Sequence, residues 1–140
     1  MKMTLLFKAF LILAFPFILS GNIIYPHSIT PDRKDLYKKY CLTCHQADGS
    51  GVSGMFPPLI KTPKVLGPAD SLIMIIISGL KGPTEVAGVT YTQNMPAVKN
   101  ITDQEIAEVL NFVRHNWGNK AASISAAEVA RIRSKAEKKP

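Results

Sequence analysis

The sequence lacks the features that mark several common classes of protein. It has no low-complexity tract, no internal repeat, no glycine-rich phosphate loop and no evident pair of nucleophile and general base. Only two cysteines occur in 140 residues. This length accommodates one domain, and the composition (46% hydrophobic, 19% charged) is that of a globular protein. These absences argue against a repeat protein and against the common catalytic constellations.

An apolar run long enough for a confident transmembrane span is also missing. A basic start at Lys2 leads into an apolar run that Pro16 interrupts, and Ser20 and Gly21 are small enough for a peptidase to cut beside them. We therefore predict that residues 1–21 are a signal peptide. An uncleaved N-terminal anchor is the alternative, because the cleavage site is weak. Either reading places the remainder in the periplasm or on the outer face of the cytoplasmic membrane.

The formal charge of +7 is concentrated at the chain ends. Residues 22–130 have ten basic and nine acidic side chains, whereas residues 131–140 have five basic side chains and one acidic side chain. We predict that residues 120–140 form a basic C-terminal helix or tail. Its cations suit the end of a solvated helix, and docking to an acidic partner or a membrane is the alternative.

Periodicity and capping signals predict an all-α chain with three main helices and a short C-terminal helix. Glycines and prolines break up residues 46–67, and residues 82–100 are irregular, so we expect two long loops there. The helix starts are a Thr-Pro pair at 30–31, a proline at 68, and capping boxes at Thr102 with Glu105 and at Ser125 with Glu128.

Both cysteines lie in the segment Cys41-Leu42-Thr43-Cys44-His45. The pattern Cys-x-x-Cys-His is typical of covalent attachment of haem c. Two intervening residues allow one helical turn to bring both sulfurs to the same edge of the macrocycle, where the thiols add across the haem vinyl groups. The adjacent histidine then lies under the iron and donates an imidazole nitrogen. The segment predicts one covalently bound haem c.

Three other readings of the cysteine pair are weaker. A redox-active dithiol belongs near a βαβ pattern, which is absent from this sequence. A disulfide closing so short a loop adds little stability. Structural zinc needs four ligands, and only His27 and His115 remain to complete such a set.

The iron of such a haem needs a second axial ligand or an open position. The candidates are Met55, Met74, Met95, His27 and His115. Met74 lies in an apolar helical run typical of core packing, and His115 lies on a polar helix face. Met95 is favoured because it lies in an irregular stretch that can fold over the far side of the haem. A buried methionine that only fills space is the alternative.

The sequence resembles the monohaem class I c-type cytochromes, particularly small bacterial ones that occur alone or beside redox enzymes. The resemblance covers roughly Leu36 to Gly118. It is carried by Tyr40 to His45, Gly49-Ser50-Gly51-Val52, Phe56-Pro57-Pro58-Leu59, Tyr91, Met95-Pro96-Ala97, Thr102 to Ile106, Phe112-Val113-Arg114 and Trp117-Gly118-Asn119.

The resemblance implies a small cytochrome c fold over residues 30–119, wrapped round one haem. It strengthens the assignment of Met95 as the sixth ligand. It also implies that the Pro57 carbonyl accepts a hydrogen bond from His45 and that Tyr91 lies near the haem. Ligation by His45 and Met95 leaves no position for oxygen or peroxide, and methionine raises the reduction potential relative to a second histidine.

We therefore expect a single-electron carrier and not an enzyme. Its partners would be a redox donor and an acceptor, with membrane association possible and no role for nucleic acid. The alternative is a dedicated cytochrome subunit of a dehydrogenase, an oxidase or a nitrite-reducing complex. A haem-based sensor with an open sixth site is the third hypothesis.

Overall fold

The computed structural model describes residues 31–138, so the predicted signal peptide or anchor and the candidate ligand His27 lie outside the described residues. The structure is mostly helical, as predicted. In the described part of the chain, no helix has the length and apolar character needed to cross a membrane. The elements are α1 (Arg33–Tyr40), α2 (Leu42–His45), α3 (Pro63–Leu66), α4 (Ala69–Ser78), β1 (Thr84–Val86), β2 (Val89–Tyr91), α5 (Asp103–His115) and α6 (Ala126–Glu137).

The capping residues decide where the helices begin. The carboxylate of Asp32 accepts a hydrogen bond from the Lys34 N–H and caps α1, so this helix begins after the predicted Thr-Pro pair. The capping box that begins α5 is confirmed, because Thr102 and Glu105 each accept a hydrogen bond from the other's backbone N–H. At α6, Ser125 caps the helix through the Glu128 N–H.

The core lies between α1, α4, α5 and α6, and its fully buried side chains include Leu36, Ile73, Ile106 and Val129. An aromatic cluster joins α1 to the end of α5. The ring centroid of Tyr37 lies 5.1 Å from that of Phe112 and 5.2 Å from that of Trp117. Trp117 lies outside α5, because the helix ends at His115 and Trp117 has φ 52°. Its ring packs edge-on against Tyr37 of α1.

The segment predicted to be irregular between α4 and α5 contains a β-hairpin. Strands β1 and β2 pair antiparallel, with Thr84 opposite Tyr91 and Val86 opposite Val89. Ala87 and Gly88 form the two-residue turn with φ values of 52° and 78°, which matches the turn that suits the twist of a hairpin. Each strand is only three residues long, which is too short for an alternating hydrophobic pattern to be recognised in the sequence.

The C-terminal segment packs on the same core. Val129 and Ile132 of α6 are buried where the helix contacts α4 and α5. The Asn111 side chain of α5 accepts from the Ile124 N–H and donates to the Ile124 carbonyl, each over 2.8 Å. Two of the basic side chains predicted to form a charged tail are in ion pairs, Arg131 with Asp70 and Arg133 with Asp103.

Candidate functional site

The two cysteines lie at the junction of α1 and α2. The Cys41 N–H donates to the Tyr37 carbonyl, and the Cys41 carbonyl accepts from the His45 N–H, so the segment turns as a helix through the motif. Both thiols are free, half-buried and part of one cavity wall. Burial raises the pKa of the Cys41 thiol to about 12. This is the opposite of the lowered pKa that activates a dithiol redox centre.

His45 is oriented by the loop that follows α2. Its Nδ1 lies 2.9 Å from the Pro57 carbonyl oxygen, and 8% of the residue is exposed. Because Nδ1–H donates to that carbonyl, the neutral ring has its lone pair on Nε2, the nitrogen available to a metal. Burial lowers the pKa of the His45 imidazole and thereby favours this neutral form.

Close backbone packing holds the Pro57 carbonyl in place. Gly51 donates its N–H to the His45 carbonyl and has φ 68°, and a Cβ atom there would lie 2.3 Å from the Phe56 carbonyl oxygen and 2.7 Å from that of Pro57. Glycine is therefore required at this position. The same loop is closed by a hydrogen bond from the Leu59 N–H to the Gly49 carbonyl.

The cysteines and His45 face a cavity of about 310 Å³ with a predominantly apolar lining. Its walls come from all of α1 to α5, the loop after α2, the β-hairpin and the segment after it, and no carboxylate of residues 31–138 lines it. The Tyr40 hydroxyl, in the same wall, is buried and has no hydrogen-bond partner in the part of the chain described. An apolar cavity with two free thiols, an imidazole and an unsatisfied buried hydroxyl fits a large, largely apolar cofactor.

Met95 lines this cavity from the segment that follows β2. Its backbone exchanges two hydrogen bonds with Leu80, of 2.8 and 2.9 Å, just beyond the end of α4. The Val98 N–H donates to the Ile76 carbonyl of the same helix. The Met95 segment is thus fixed to the C-terminal end of α4, and the partly buried Met95 forms part of the cavity wall.

The other candidate ligands within the described residues lie elsewhere. Met55 is 44% exposed, and Met74 packs against the core. His115 is exposed, with Nδ1 2.8 Å from the Asn111 carbonyl oxygen. None of these three lines the cavity, whereas Met95 does.

Tyr91 is buried on β2 and lines the cavity together with Thr84, its cross-strand partner. The hairpin is held over the cavity by the loop after α2, since the Thr92 N–H donates to the Gly54 carbonyl and the Gln93 N–H to that of Met55. The fold therefore places Tyr91 in the same wall as the Met95 segment.

Sequence reasoning missed Asn119 as a determinant of the site. Its side-chain N–H donates to the carbonyls of Leu59 and Val113, and its Oδ1 accepts from the Lys61 N–H over 2.6 Å. These bonds attach the end of the His45-orienting loop to α5. No local signal could have identified them, because two of the three partners are about 60 residues away in the chain.

No group of three or more histidine, cysteine, aspartate or glutamate side chains that could hold a metal ion occurs among residues 31–138. The described sheet consists of one two-stranded hairpin and contains no βαβ unit. The cysteine pair therefore lies beside neither a zinc-type ligand set nor a thioredoxin-like sheet.

Comparison with known proteins identifies the family of the chain. The family model "Cytochrome c" matches residues 33–117. Cytochrome c-552 of Thermus thermophilus is 33% identical over 128 residues, which cover 85% of this chain and 84% of that protein. The cytochrome c subunit of the quinone alcohol dehydrogenase of Gluconobacter oxydans is 38% identical over 103 residues, 71% of this chain and 21% of that protein. The gluconate 2-dehydrogenase cytochrome c subunit of Pantoea cypripedii is 38% identical over 102 residues, 70% of this chain and 23% of that protein.

The chain thus spans about a fifth of the length of the dehydrogenase subunits that it matches, but most of the length of the free cytochrome. The matched region contains the attachment motif, all the helices that line the cavity, and Met95. The predicted fold class and the predicted haem c cofactor are confirmed by this match. The chain belongs to the cytochrome c family, as a monohaem class I c-type cytochrome with covalently attached haem c.

Proposed function

We propose that Cys41 and Cys44 form the two thioether bonds to one haem c and that His45 and Met95 are the axial ligands of its iron. One observation carries this assignment: these four side chains line the same apolar cavity. The Pro57 carbonyl, 2.9 Å from His45 Nδ1, directs the other ring nitrogen to the iron. Tyr91 packs beside the haem from the hairpin.

This arrangement suits single-electron transfer. A bound haem c supplies one-electron iron chemistry. The chain supplies an imidazole oriented by a buried hydrogen bond and a thioether whose backbone is hydrogen-bonded to the end of α4. Because both ligands are held by the fold, we expect them to stay in place in both oxidation states. The apolar wall excludes water, and the thioether favours the reduced iron.

We propose that the protein acts as a separate carrier between a redox donor and an acceptor. The length of its match to a free cytochrome c-552 supports this role. The alternative is a dedicated cytochrome subunit of a larger redox enzyme, and the similarity to dehydrogenase cytochrome subunits favours a dehydrogenase among these. A carrier is expected to dock briefly and weakly with its partners, whereas a subunit is expected to have a fixed interface.

We also propose that the protein works in the periplasm or on the outer face of the cytoplasmic membrane, with residues 1–21 as signal peptide or anchor. In this scheme residues 30–119 form the cytochrome domain. Residues 120–140 are a basic extension whose helix α6 packs on α4 and α5.

Spectroscopy of the purified haem protein tests the ligand set. The oxidised wild-type protein should show the weak near-infrared band of methionine–iron ligation and should not bind carbon monoxide readily when reduced. Met95→Ala should lose the band and open the iron to carbon monoxide. Met74→Ala is the matched control, because Met74 does not line the cavity, and it should retain the band. High-spin wild-type iron that binds carbon monoxide would support the sensor hypothesis instead.

Attachment is tested by mass spectrometry after denaturation. The wild-type chain should retain one haem, and Cys41→Ala and Cys44→Ala should each retain it through a single bond. Haem released from the wild-type chain on denaturation would contradict covalent attachment.

Purification from native membranes tests the role and the location. A carrier should purify alone, and a subunit should bring down a redox enzyme. N-terminal sequencing of the same sample shows whether residues 1–20 remain attached.

A further inference from the structure

Arg114, in the last turn of α5, is a buried cation whose hydrogen-bond partners are all backbone carbonyls. Only 3% of the residue is exposed. Its Nε donates to the Ala122 carbonyl over 2.9 Å, and its Nη1 donates to the carbonyls of Val65 and Gly67 over 2.9 and 3.0 Å. These bonds engage three of the five guanidinium N–H groups and do not neutralise the charge.

No ion pair involves Arg114 within residues 31–138. The Glu128 carboxylate at the start of α6 acts on it through longer-range attraction, and burial lowers the pKa of the guanidinium. An arginine titrates so far above neutral pH that the side chain keeps its charge under ordinary conditions. A net positive charge therefore lies inside the protein.

This charge adjoins the wall of the proposed haem site. Val65, whose carbonyl Arg114 binds, lines the cavity, and so does Val113, the preceding residue of α5. The lining of the cavity is predominantly apolar. A charge in such surroundings is screened far less than a charge on the surface.

We propose that Arg114 raises the reduction potential of the haem through its buried positive charge. Reduction adds one electron to the haem, and a fixed cation nearby stabilises the reduced state relative to the oxidised state. The same side chain links the segment around Val65 to the segment around Ala122, so the charge is held at a constant position. This inference rests on the proposed haem site.

The midpoint potential of the intact haem protein tests the proposal. Arg114→Gln removes the charge, and the equilibrium constant for reduction should fall on the order of tenfold, which is about 59 mV for one electron. Arg114→Lys keeps the charge and should retain most of the potential. The methionine–iron band should be unchanged in both variants. A variant whose potential changed only because its fold or its ligation was damaged would show an altered band.

The salt dependence separates a buried charge from a surface charge. Lys64 lines the rim of the same cavity and is exposed. The effect of Lys64→Gln on the potential should shrink as salt is raised, whereas that of Arg114→Gln should persist. An unchanged potential in a folded Arg114→Gln protein with the band intact would overturn the proposal.

If Arg114→Gln does not fold, Glu128→Gln decides the question. Removing this carboxylate leaves the Arg114 charge less compensated, so the potential should rise. Glu137→Gln makes the same charge change on an exposed residue at the other end of α6 and is the matched control. A potential that rises no more in Glu128→Gln than in Glu137→Gln would overturn the proposal. The ligand set is tested separately by the Met95→Ala spectrum, so the two proposals can fail independently.

Discussion

The Met95 peptide lies where a side chain at Gly79 would have to project. A Cβ atom on Gly79 would lie 2.5 Å from the Met95 carbonyl oxygen and 2.8 Å from the Ala97 nitrogen. Gly79 ends α4 with φ 77°, and the next residue, Leu80, exchanges two backbone hydrogen bonds with Met95. The proposed thioether ligand is therefore positioned by the glycine that terminates the neighbouring helix.

We expect Gly79→Ala to weaken ligation by Met95. The new methyl group must displace backbone atoms, and the positive φ adds about 1–2 kcal/mol of strain for an alanine. The methionine–iron band should diminish, and affinity for added imidazole should increase.

Gly82→Ala is the control for this experiment. Gly82 has a similar φ of 80°, but a Cβ atom there would have no neighbour within 4 Å. The Gly82→Ala substitution should therefore lower the free energy of unfolding without changing the methionine–iron band. Equal loss of the band in both variants would contradict the positioning role of Gly79.

Gly51→Ala should disturb the orientation of His45. Its methyl group would displace the carbonyls of Phe56 and Pro57, and the Pro57 carbonyl is the acceptor for His45 Nδ1. We expect a changed midpoint potential, because the hydrogen bond tunes the basicity of the ligand. Gly54 has a comparable φ of 71°, but a Cβ atom there would have no neighbour within 4 Å. Gly54→Ala should therefore lower the free energy of unfolding and leave the midpoint potential unchanged.

Asn119→Ala should destabilise the protein by about 2–3 kcal/mol, measured by denaturant unfolding, because it leaves one buried backbone group, of Val113, and two part-buried ones, of Leu59 and Lys61, without partners. Asn116→Ala removes one hydrogen bond, to the Phe112 carbonyl, at a half-buried site, and should cost less than about 1 kcal/mol. Similar losses in the two variants would show that the three bonds of Asn119 do not hold the loop.

The Glu105 carboxylate should make stability depend on pH. The Thr102 backbone N–H, which donates to it over 2.9 Å, lowers the pKa of Glu105 from its ordinary value of 4.5. Because the pKa of Glu105 is lower in the folded state than in the unfolded state, the carboxylate stabilises the fold at pH values above its ordinary pKa. This contribution is lost as the pH falls through the folded-state pKa. Glu105→Gln should therefore reduce the free energy of unfolding at pH 7, and the difference from wild type should shrink in acid.

Ser125→Ala is the comparison for that experiment. It removes a hydroxyl that caps α6 through the Glu128 N–H and does not titrate, so its cost of about 1 kcal/mol should persist in acid. A Glu105→Gln penalty that stays constant down to strongly acidic pH would contradict the electrostatic contribution.

Much of the fold could be predicted because its signals are local. A capping box such as Thr102 with Glu105 and a helix-ending glycine such as Gly79 act within a few residues of chain. The start of α1 was misplaced because Asp32 competes with the upstream Thr-Pro pair as a cap. The hairpin was missed because three-residue strands carry too few side chains for an alternating pattern.

The attachment segment follows from local sequence alone, since Cys41, Cys44 and His45 are brought together by one helical turn. The same motif and the blocks that follow it indicate the family and hence the haem c cofactor. Tertiary contacts are what bring Met95 into the lining of the same cavity, because Leu80, 15 residues earlier in the chain, exchanges two backbone hydrogen bonds with it. The tertiary structure likewise placed Arg114 beside the cavity wall and Asn119 under the His45 loop. These positions depend on hydrogen bonds to backbone carbonyls of distant segments. Every residue type has a backbone carbonyl, so the sequence of those segments does not predict these bonds.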